Sequence, residues 1–378
     1  MTKPTRINAI DWLRAVTMLL MLWVNDIPGV KDIPHWLHHA KFDEDMLGFS
    51  DLIFPCFLFC VGLSIPFAVE NRMAKGDTKW NIFTHALWRT ASLVVLGILT
   101  MNMEESGSLM QASMMVIGAF LLWNNYPAEG IWTRIALLLK VAGAGLLVGL
   151  VLWRDSQGIA TERGWYGILG LIGWSYGVCM LLYLIWSRMK GVVITWMAVL
   201  ILALLSHSEI IPWEYSSRVF LLPFVPSDWT LHAFTFTGVM LSVILRRGGF
   251  WGCLVLGVGC CVLGVASHQV WIISKIQATP TWLFFCLAIF LPILALFIYL
   301  FDVRRSIGVQ GLLRPAATAT LTCYLIPYFW YPLRGQIDYY LPDAFYSGVP
   351  GLVNSMVYAL IILAVVGLLN KVGIKLKL

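Results

Sequence analysis

Titratable side chains crowd a short segment that leads directly into one of the most apolar stretches of the chain. The segment is HWLHHAKFDEDMLGFSD, residues 35–51, and the run LIFPCFLFCVG follows it. Its histidines and acids are His35, His38, His39, Asp43, Glu44, Asp45 and Asp51. Such a set of side chains is found in three kinds of site. Two histidines and a carboxylate can ligate a metal, a solvated loop can carry histidines without a further role, and one histidine can act as a general base or nucleophile, oriented by a carboxylate such as Asp51.

The residues alone do not name a reaction. The sequence contains no HExxH metal motif, no phosphate-binding glycine loop and no cysteine beside a histidine. We therefore expect no bound metal, and we expect neither a serine nor a thiol hydrolase. What the pattern predicts is a polar site with histidine chemistry next to an apolar helix.

The composition is that of a membrane protein. Hydrophobic residues make up 59% of the chain and charged residues 12%, and the mean hydropathy is +0.79. Apolar runs of about 18–25 residues, long enough to cross a bilayer as helices, recur along the chain. We predict an all-α polytopic integral membrane protein with eleven or twelve transmembrane helices. The predicted spans are 9–28, 49–69, 80–101, 108–125, 131–152, 165–187, 191–210, 231–246, 250–268, 280–301, 313–331 and 349–370.

The charge distribution predicts the orientation of these spans. Loops on the N-terminal side hold the larger share of lysine and arginine, whereas acids such as Asp43 and Glu44 collect in the opposite loops. Because cytoplasmic loops retain basic residues, we expect both termini to be cytoplasmic and the histidine segment to face outside. The net charge of +6 fits an anionic membrane leaflet, and we expect no nucleic-acid partner.

Charged residues inside the predicted spans indicate a structural or functional role, because each costs about 2.5–3.5 kcal/mol of insertion free energy near the middle of a spanning helix. Asp11 and Arg14 share one face of the first span, either as a self-neutralising pair or as part of a site. Arg89 lies deeper in the third span, and its donors suit a carboxylate or a phosphate. Asn25 ends the first span, where it either terminates the helix or supplies an amide donor to an outer site.

Several motifs resemble those of one membrane enzyme family. They are DWLRA at 11–15, LWVN at 22–25, HHA at 38–40, SDLIFPCFLFCVGLS at 50–64 and KIQATPTW at 275–282. The chain resembles the heparan-α-glucosaminide N-acetyltransferases and their bacterial relatives, which are multispanning enzymes. It departs from that pattern at GILGLIG, residues 167–173, and at TATL, residues 318–321, and the spans at 108–125 and 131–152 look additional.

The resemblance implies a role for each matching residue. His39, directly before Ala40, corresponds to the catalytic histidine, Asn25 to the group that holds the acetyl carbonyl, and Asp51 to the nearby carboxylate. His38 and Lys275 are expected to contact the acceptor substrate. The phosphates of CoA are expected to meet basic residues on the inner side, with Arg14 and Arg89 preferred over Arg246 and Arg247.

The resemblance also implies an activity. We expect one transmembrane acetyltransferase domain over residues 1–378, homodimeric and located in a bacterial inner membrane. It would move an acetyl group from cytoplasmic acetyl-CoA to the amine of a glucosamine-type sugar, or of a short glycan, outside. The transfer could be direct or pass through an acetyl-histidine. Two other functions stay open: a secondary transporter of a small polar solute, and a membrane acyltransferase that modifies an envelope glycan.

Overall fold

The computed structural model describes residues 7–104, 107–127, 130–208, 229–246, 250–304, 307–337 and 340–378. The all-α prediction is confirmed for this part of the chain, where two isolated bridges, Lys31 with Ser347 and Asn124 with Leu376, are the extent of β pairing. The helices are α1 Asn8–Asp26, α2 Ser50–Ala74, α3 Lys79–Glu104, α4 Leu109–Trp123, α5 Ile131–Ser156, α6 Gly167–Ile185, α7 Met189–Leu205, α8 Trp229–Leu245, α9 Phe250–Ser267, α10 Pro280–Ile298, α11 Arg314–Thr318, α12 Thr320–Gln336 and α13 Gly348–Lys371.

Each of the twelve predicted spans coincides with helical structure, although the eleventh is broken. Its helix stops at Thr318 and a new one starts at Thr320, so α11 and α12 together occupy the predicted 313–331. The first span ends at Asp26, and a 3-10 turn, Ile27–Gly29, follows it. Pro28 lies in that turn, as expected of a residue that cannot continue a helix.

Within the described ranges, six helices are long and apolar enough to cross a membrane. They are Ser50–Ala74, Lys79–Glu104, Thr133–Ser156, Gly167–Ile185, Pro280–Arg304 and Gly348–Lys371. Four further apolar helices, α4, α7, α8 and α9, are shorter. The chain is therefore an integral membrane protein by the length and composition of its helices, whereas the full number of spans stays a prediction.

The chain forms two compact units, of which the first comprises Met1–Thr17, Pro34–Thr90 and Leu171–Val309. Its core contains α2, α8 and α10. The rings of Phe234 and Trp282 are fully buried and meet edge to face with their centroids 4.9 Å apart. Gly62 allows α2 to approach α8 closely, because a Cβ atom there would overlap the carbonyl oxygen of Thr235. This packing fixes the axis of α2, whose first turn carries Asp51.

The second unit comprises Met18–Ile33, Ala91–Gly170 and Gln310–Leu378. In it α4 packs on α5, and a Cβ at Gly143 would lie 2.7 Å from the carbonyl oxygen of Gly118. The carboxylate of Asp26, at the end of α1, accepts hydrogen bonds from the hydroxyls of Tyr331 at 2.9 Å and Ser355 at 2.7 Å. Asp26 thus ties the end of α1 to α12 and α13.

Candidate active site

The chain around His39 is attached to the start of α2 by its backbone. A 3-10 turn, His35–Leu37, precedes it. The hydroxyl of Ser50 donates to the carbonyl of Leu37 at 2.6 Å, and the N–H of Phe49 donates to the carbonyl of Trp36 at 2.7 Å. Leu37 and Ala40 are buried on either side. The imidazole of His39 is held between these anchors, yet 41% of its side-chain surface stays exposed.

Asp51 holds that imidazole directly. Its carboxylate is 2% exposed, its Oδ1 lies 2.6 Å from Nδ1 of His39, and its Oδ2 accepts the N–H of Ala40 at 2.9 Å. A short contact between a ring nitrogen and a carboxylate requires the proton on that nitrogen, since an ionised carboxylate only accepts. Nδ1 of His39 therefore carries a proton, and the tautomer with this proton has the ring's lone pair on Nε2. This is the arrangement of a histidine general base or nucleophile.

Lys275 brings a positive charge to the same pair. Its Nζ lies 3.2 Å from Nδ1 of His39 and 3.6 Å from Oδ1 of Asp51. Because Nδ1 donates to Asp51, it cannot also accept from an ammonium, so the attraction of Lys275 is to the carboxylate. Burial lowers the pKa of the Lys275 ammonium, and the nearby Asp51 charge partly opposes that effect. The site therefore consists of an imidazole, a carboxylate and an amine whose pKa is lowered by burial.

Two further histidine–carboxylate pairs fasten the loop after His39. Nε2 of His35 lies 2.5 Å from Oε1 of Glu44, and this bond lowers the pKa of Glu44. Oδ2 of Asp45 lies 2.8 Å from Nε2 of His268, while its Oδ1 accepts the N–H of Ile273 at 2.8 Å. The backbone bond from Ile273, followed by His268, lowers the pKa of Asp45. The loop that carries Asp45 is thereby tied to the loop that carries Lys275.

These pairs show how the histidine segment is used. His35 and His39 of this segment, and the distant His268, each contact a different carboxylate. In the described part of the chain no three histidine, cysteine or acidic side chains converge on one point as metal ligands. The ring of His38 lies 6.5 Å from that of His35, centroid to centroid. Its assignment to the acceptor stays a prediction.

The predicted phosphate-binding arginines have different surroundings. Arg14 forms an ion pair with Asp11 at 3.2 Å and also hydrogen-bonds the hydroxyl of Ser64 on α2. Arg89 stacks on the ring of Tyr176, with 4.7 Å between guanidinium carbon and ring centroid. Arg246 pairs with Glu70, and Arg247 lies outside the described residues. The aromatic face leaves the guanidinium charge in place, and the assignment of Arg89 to a phosphate stays a prediction.

Asn25 belongs to the second unit, where it occupies the last turn of α1 with its side chain exposed. The other residues proposed for chemistry and acceptor binding, His39, Asp51, His38 and Lys275, belong to the first unit. The structure thus brings His39, Asp51 and Lys275 together, and the role of Asn25 stays a prediction.

One further motif of the sequence lies outside the candidate site. GWSYG, residues 173–177, has the GxSxG spacing of hydrolase nucleophiles, and Ser175 lies 3.3 Å from Nδ1 of His232. The motif lies inside α6 instead of a strand-to-helix elbow, and Ser175 is fully buried. Its hydroxyl donates to the carbonyl of Leu231 at 3.0 Å, so the cluster joins α6 to α8 as a polar contact between helices.

Sequence reasoning also missed Gly48 and His268. A Cβ at Gly48 would overlap the carbonyl oxygen of His38 and lie 2.9 Å from Oδ2 of Asp51, so only glycine fits this approach. The one signal was the glycine itself, three residues before Asp51. His268 contacts Asp45 across 223 positions of sequence, and nothing local to either residue indicates that contact.

Comparison with known proteins places the chain in a family. The family model described as "Domain of unknown function (DUF5009)" matches residues 6–237. The chain belongs to the DUF5009 family. The matched range contains His39 and Asp51, whereas Lys275 lies beyond it.

The DUF5009 chain also matches named enzymes over a shorter range. It is 30% identical over 100 residues to the heparan-alpha-glucosaminide N-acetyltransferase of Homo sapiens, which is 26% of this chain and 14% of that protein. The protein of the same name from Mus musculus is 28% identical over 102 residues, 27% of this chain and 15% of that protein. The DUF5009 chain is thus a distant relative of these enzymes, and the match covers only a small part of their length.

Proposed function

We propose that the chain is a membrane N-acetyltransferase that moves an acetyl group from cytoplasmic acetyl-CoA to the amine of a glucosamine-type sugar on the outer side. The observation that supports this is the His39–Asp51 pair. It presents Nε2 of a partly exposed imidazole beside a buried carboxylate. The similarity to two N-acetyltransferases supports the same reaction class.

In the direct route, His39 acts as a general base through Nε2. Nε2 of His39 takes a proton from the sugar ammonium, and the freed amine attacks the thioester carbonyl. As the tetrahedral intermediate collapses, the C–S bond breaks and the imidazolium returns a proton to the leaving sulfur. The products are the amide and the CoA thiol, and the remaining proton of the ammonium goes to solvent. Asp51 stabilises the imidazolium while it exists.

The second route places a covalent acetyl group on His39 before the sugar arrives. Nε2 then attacks the thioester carbonyl carbon, the C–S bond breaks, and CoA leaves as a thiolate that takes a proton from solvent. The sugar ammonium loses a proton to solvent and its amine attacks the acetyl group, the bond from the acetyl carbon to Nε2 breaks, and the second proton of the nitrogen goes to solvent. The geometry serves both routes, since both need an unprotonated Nε2. Release of CoA thiol in a burst without acceptor, together with ping-pong kinetics, would identify the covalent route.

The wider assignments belong to the same proposal. They comprise eleven or twelve transmembrane helices with both termini cytoplasmic, one functional domain over residues 1–378, a homodimer, and a bacterial inner membrane. Asn25 is proposed to donate to the developing oxyanion, His38 to contact the acceptor, and Arg14 and Arg89 to attract the phosphates of CoA. The charged phosphates would stay on the inner side, because they cannot cross hydrocarbon.

A thiol-release assay tests the function. Purified protein is mixed with acetyl-CoA and glucosamine, and the CoA thiol is measured over time. We expect acceptor-dependent release by the wild-type protein and by His38→Ala, and none by a folded His39→Ala variant. An inactive His38→Ala with an active His39→Ala would refute the residue assignment. No release with any amino sugar would refute the activity.

A further inference from the structure

The segment that follows α13 is fastened to the rest of the second unit by its backbone. The amides of residues 375, 376 and 377 each donate one hydrogen bond to another segment. Their acceptors are, in this order, Oδ1 of Asn124 at 2.8 Å, Oγ1 of Thr322 at 3.2 Å and the carbonyl oxygen of Trp123 at 2.9 Å. Residues beyond the last helix of a domain are commonly disordered unless such bonds hold them. The segment therefore has a fixed position beside α4 and α12.

The fixed segment presents two lysines on one face. Successive side chains of an extended chain point to opposite faces. Leu376 is buried, whereas Lys375 is half-buried and Lys377 is exposed. Burial lowers the pKa of the Lys375 ammonium, and the positive charges of Lys377 and Arg314 lower it further. Arg314 is therefore close enough to repel the lysine of this segment.

A fourth cation comes from the end of α13. A Cβ at Gly367 would lie 3.5 Å from the ring of Pro315, so this end of α13 runs beside α11, which begins at Arg314. Lys371 follows Gly367 by one helical turn and lies on the same side of α13. The structure thereby collects four basic side chains, which we call the basic cluster: Arg314, Lys371, Lys375 and Lys377.

The basic cluster has no acidic side chain near it in the described part of its surroundings. The three segments that form and border it, residues 123–127, 310–318 and 370–378, contain neither aspartate nor glutamate. Within the described ranges, the ion pairs of lysine and arginine side chains belong to other residues. Like charges held together repel, so an anion that contacts all four would stabilise the folded position of the segment.

Exposed apolar side chains border the basic cluster. Leu368 and Val372, one turn apart on α13, are 62% and 71% exposed, and Leu312 is 45% exposed. Helix α13 is long and apolar enough to cross a membrane, which places Lys371, its last residue, at a membrane boundary. Cations at a membrane boundary beside an apolar surface suit a ligand that carries both a phosphate and acyl chains.

We propose that the basic cluster binds the headgroup phosphate of an anionic phospholipid. The phosphate lies among the four cations, and the acyl chains lie along Leu368 and Val372. The bound lipid offsets the repulsion within the cluster and so stabilises the hydrogen bonds of residues 375–377. This binding needs no acetyl transfer.

Hydrogen exchange in micelles of known composition tests this site. The purified full chain in a neutral detergent is titrated with phosphatidylglycerol, or with phosphatidylcholine that has the same acyl chains. We expect phosphatidylglycerol to raise the protection of the amides of residues 375–377 and the Tm of the protein, because it binds the folded state. Phosphatidylcholine, which has no net charge, should do neither. Equal protection by the two lipids would overturn the proposal.

A pair of double variants separates this site from a general attraction of basic residues to anionic lipid. Lys375→Gln with Lys377→Gln removes two charges and keeps every backbone donor. Each basic residue near an anionic surface contributes about a fivefold factor in affinity, so half-maximal protection should need about 25-fold more phosphatidylglycerol. Arg188→Gln with Lys190→Gln, at two exposed positions beside the start of α7, is the matched control and should titrate as wild type. Equal shifts in the two double variants would refute a specific site.

Arg314→Gln covers the case in which the lysine variant disorders the segment by itself. Arg314 lies outside residues 375–377, so exchange without lipid should equal that of the wild type. Half-maximal protection should then need about fivefold more phosphatidylglycerol, and an unchanged titration would contradict the proposal. Acetyl-CoA in phosphatidylcholine micelles is the last arm, because its phosphates are also anions. Protection by acetyl-CoA equal to that by phosphatidylglycerol would assign the basic cluster to the donor and overturn the lipid site.

Discussion

Nδ1 of His39 lies 2.6 Å from Oδ1 of Asp51, and this contact leaves Nε2 as the ring nitrogen that does not face the carboxylate. The second carboxylate oxygen accepts the N–H of Ala40 at 2.9 Å, so the carboxylate is fixed by the backbone of the same segment that carries the ring. The Asp51 carboxylate therefore both orients the His39 ring and places a negative charge beside it.

Asp51→Asn removes the charge and keeps the shape. An amide NH₂ in place of an oxygen would favour the tautomer with its proton on Nε2, which leaves no base for the substrate. We expect acceptor-dependent CoA release to fall by about 10²–10⁴-fold. Circular dichroism and gel filtration should show a folded protein, and a folded variant with wild-type activity would contradict the role of the carboxylate.

Lys275→Met removes the cation 3.2 Å from Nδ1 of His39. The imidazolium formed during catalysis no longer meets that repulsion, so the ring is protonated more readily. We expect the acidic limb of kcat/KM to move to higher pH by about one unit, comparable to one close charge. Lys275→Arg keeps the charge and is the control. An unchanged pH profile in Lys275→Met would show that Lys275 serves the acceptor alone.

Gly48→Ala tests the close approach of the loop to the site. The new Cβ would overlap the carbonyl oxygen of His38 and press on Oδ2 of Asp51, so the segment around His39 must move. Overpacking of this kind costs about 1–3 kcal/mol, and we expect kcat to fall more than tenfold. Gly145→Ala, at a position with open space around it, is the matched control. Equal activity of the two variants would refute a tight fit at Gly48.

Asp45 should make the loop contacts that it forms sensitive to acid. Its pKa is lowered in the folded protein by Ile273 N–H and His268, so its stabilising effect is complete above the ordinary aspartate value of about 3.9 and is lost as pH falls through the lowered value. The protection factors of residues 41–48 and 272–277 against hydrogen exchange should therefore fall at acid pH. Asp45→Asn should show this lower protection already at neutral pH, and protection equal to wild type would contradict the link.

The sequence predicts the helices well and the contacts between them poorly, for a physical reason. Long apolar runs have one stable form in a bilayer, so every predicted span coincides with a helix. The break at Ala319 between α11 and α12 was missed, because the apolar run continues through it. Hydropathy measures the preference of each segment for lipid and does not determine which helices pack against each other.

Contacts within the candidate site are likewise predictable from the sequence only where they are local. The pairing of His39 with Asp51 could be anticipated, because twelve residues separate them and Asp51 opens a helix. The contact of Arg89 with the ring of Tyr176, on another helix, could not be anticipated from spacing. His268 and Gly48 make their contacts only in the folded protein. The sequence around each residue therefore does not indicate those contacts. Local spacing predicts local pairs, and distant pairs require the fold.

Transfer across the membrane is the central claim, and a sidedness assay tests it most directly. Proteoliposomes are loaded with acetyl-CoA, external donor is removed, and glucosamine is added outside only. We predict that N-acetylglucosamine appears outside while CoA thiol accumulates inside, and that liposomes with His39→Ala give neither. Product that forms only when donor and sugar share one side, or glucosamine that collects inside empty liposomes without a donor, would contradict the account.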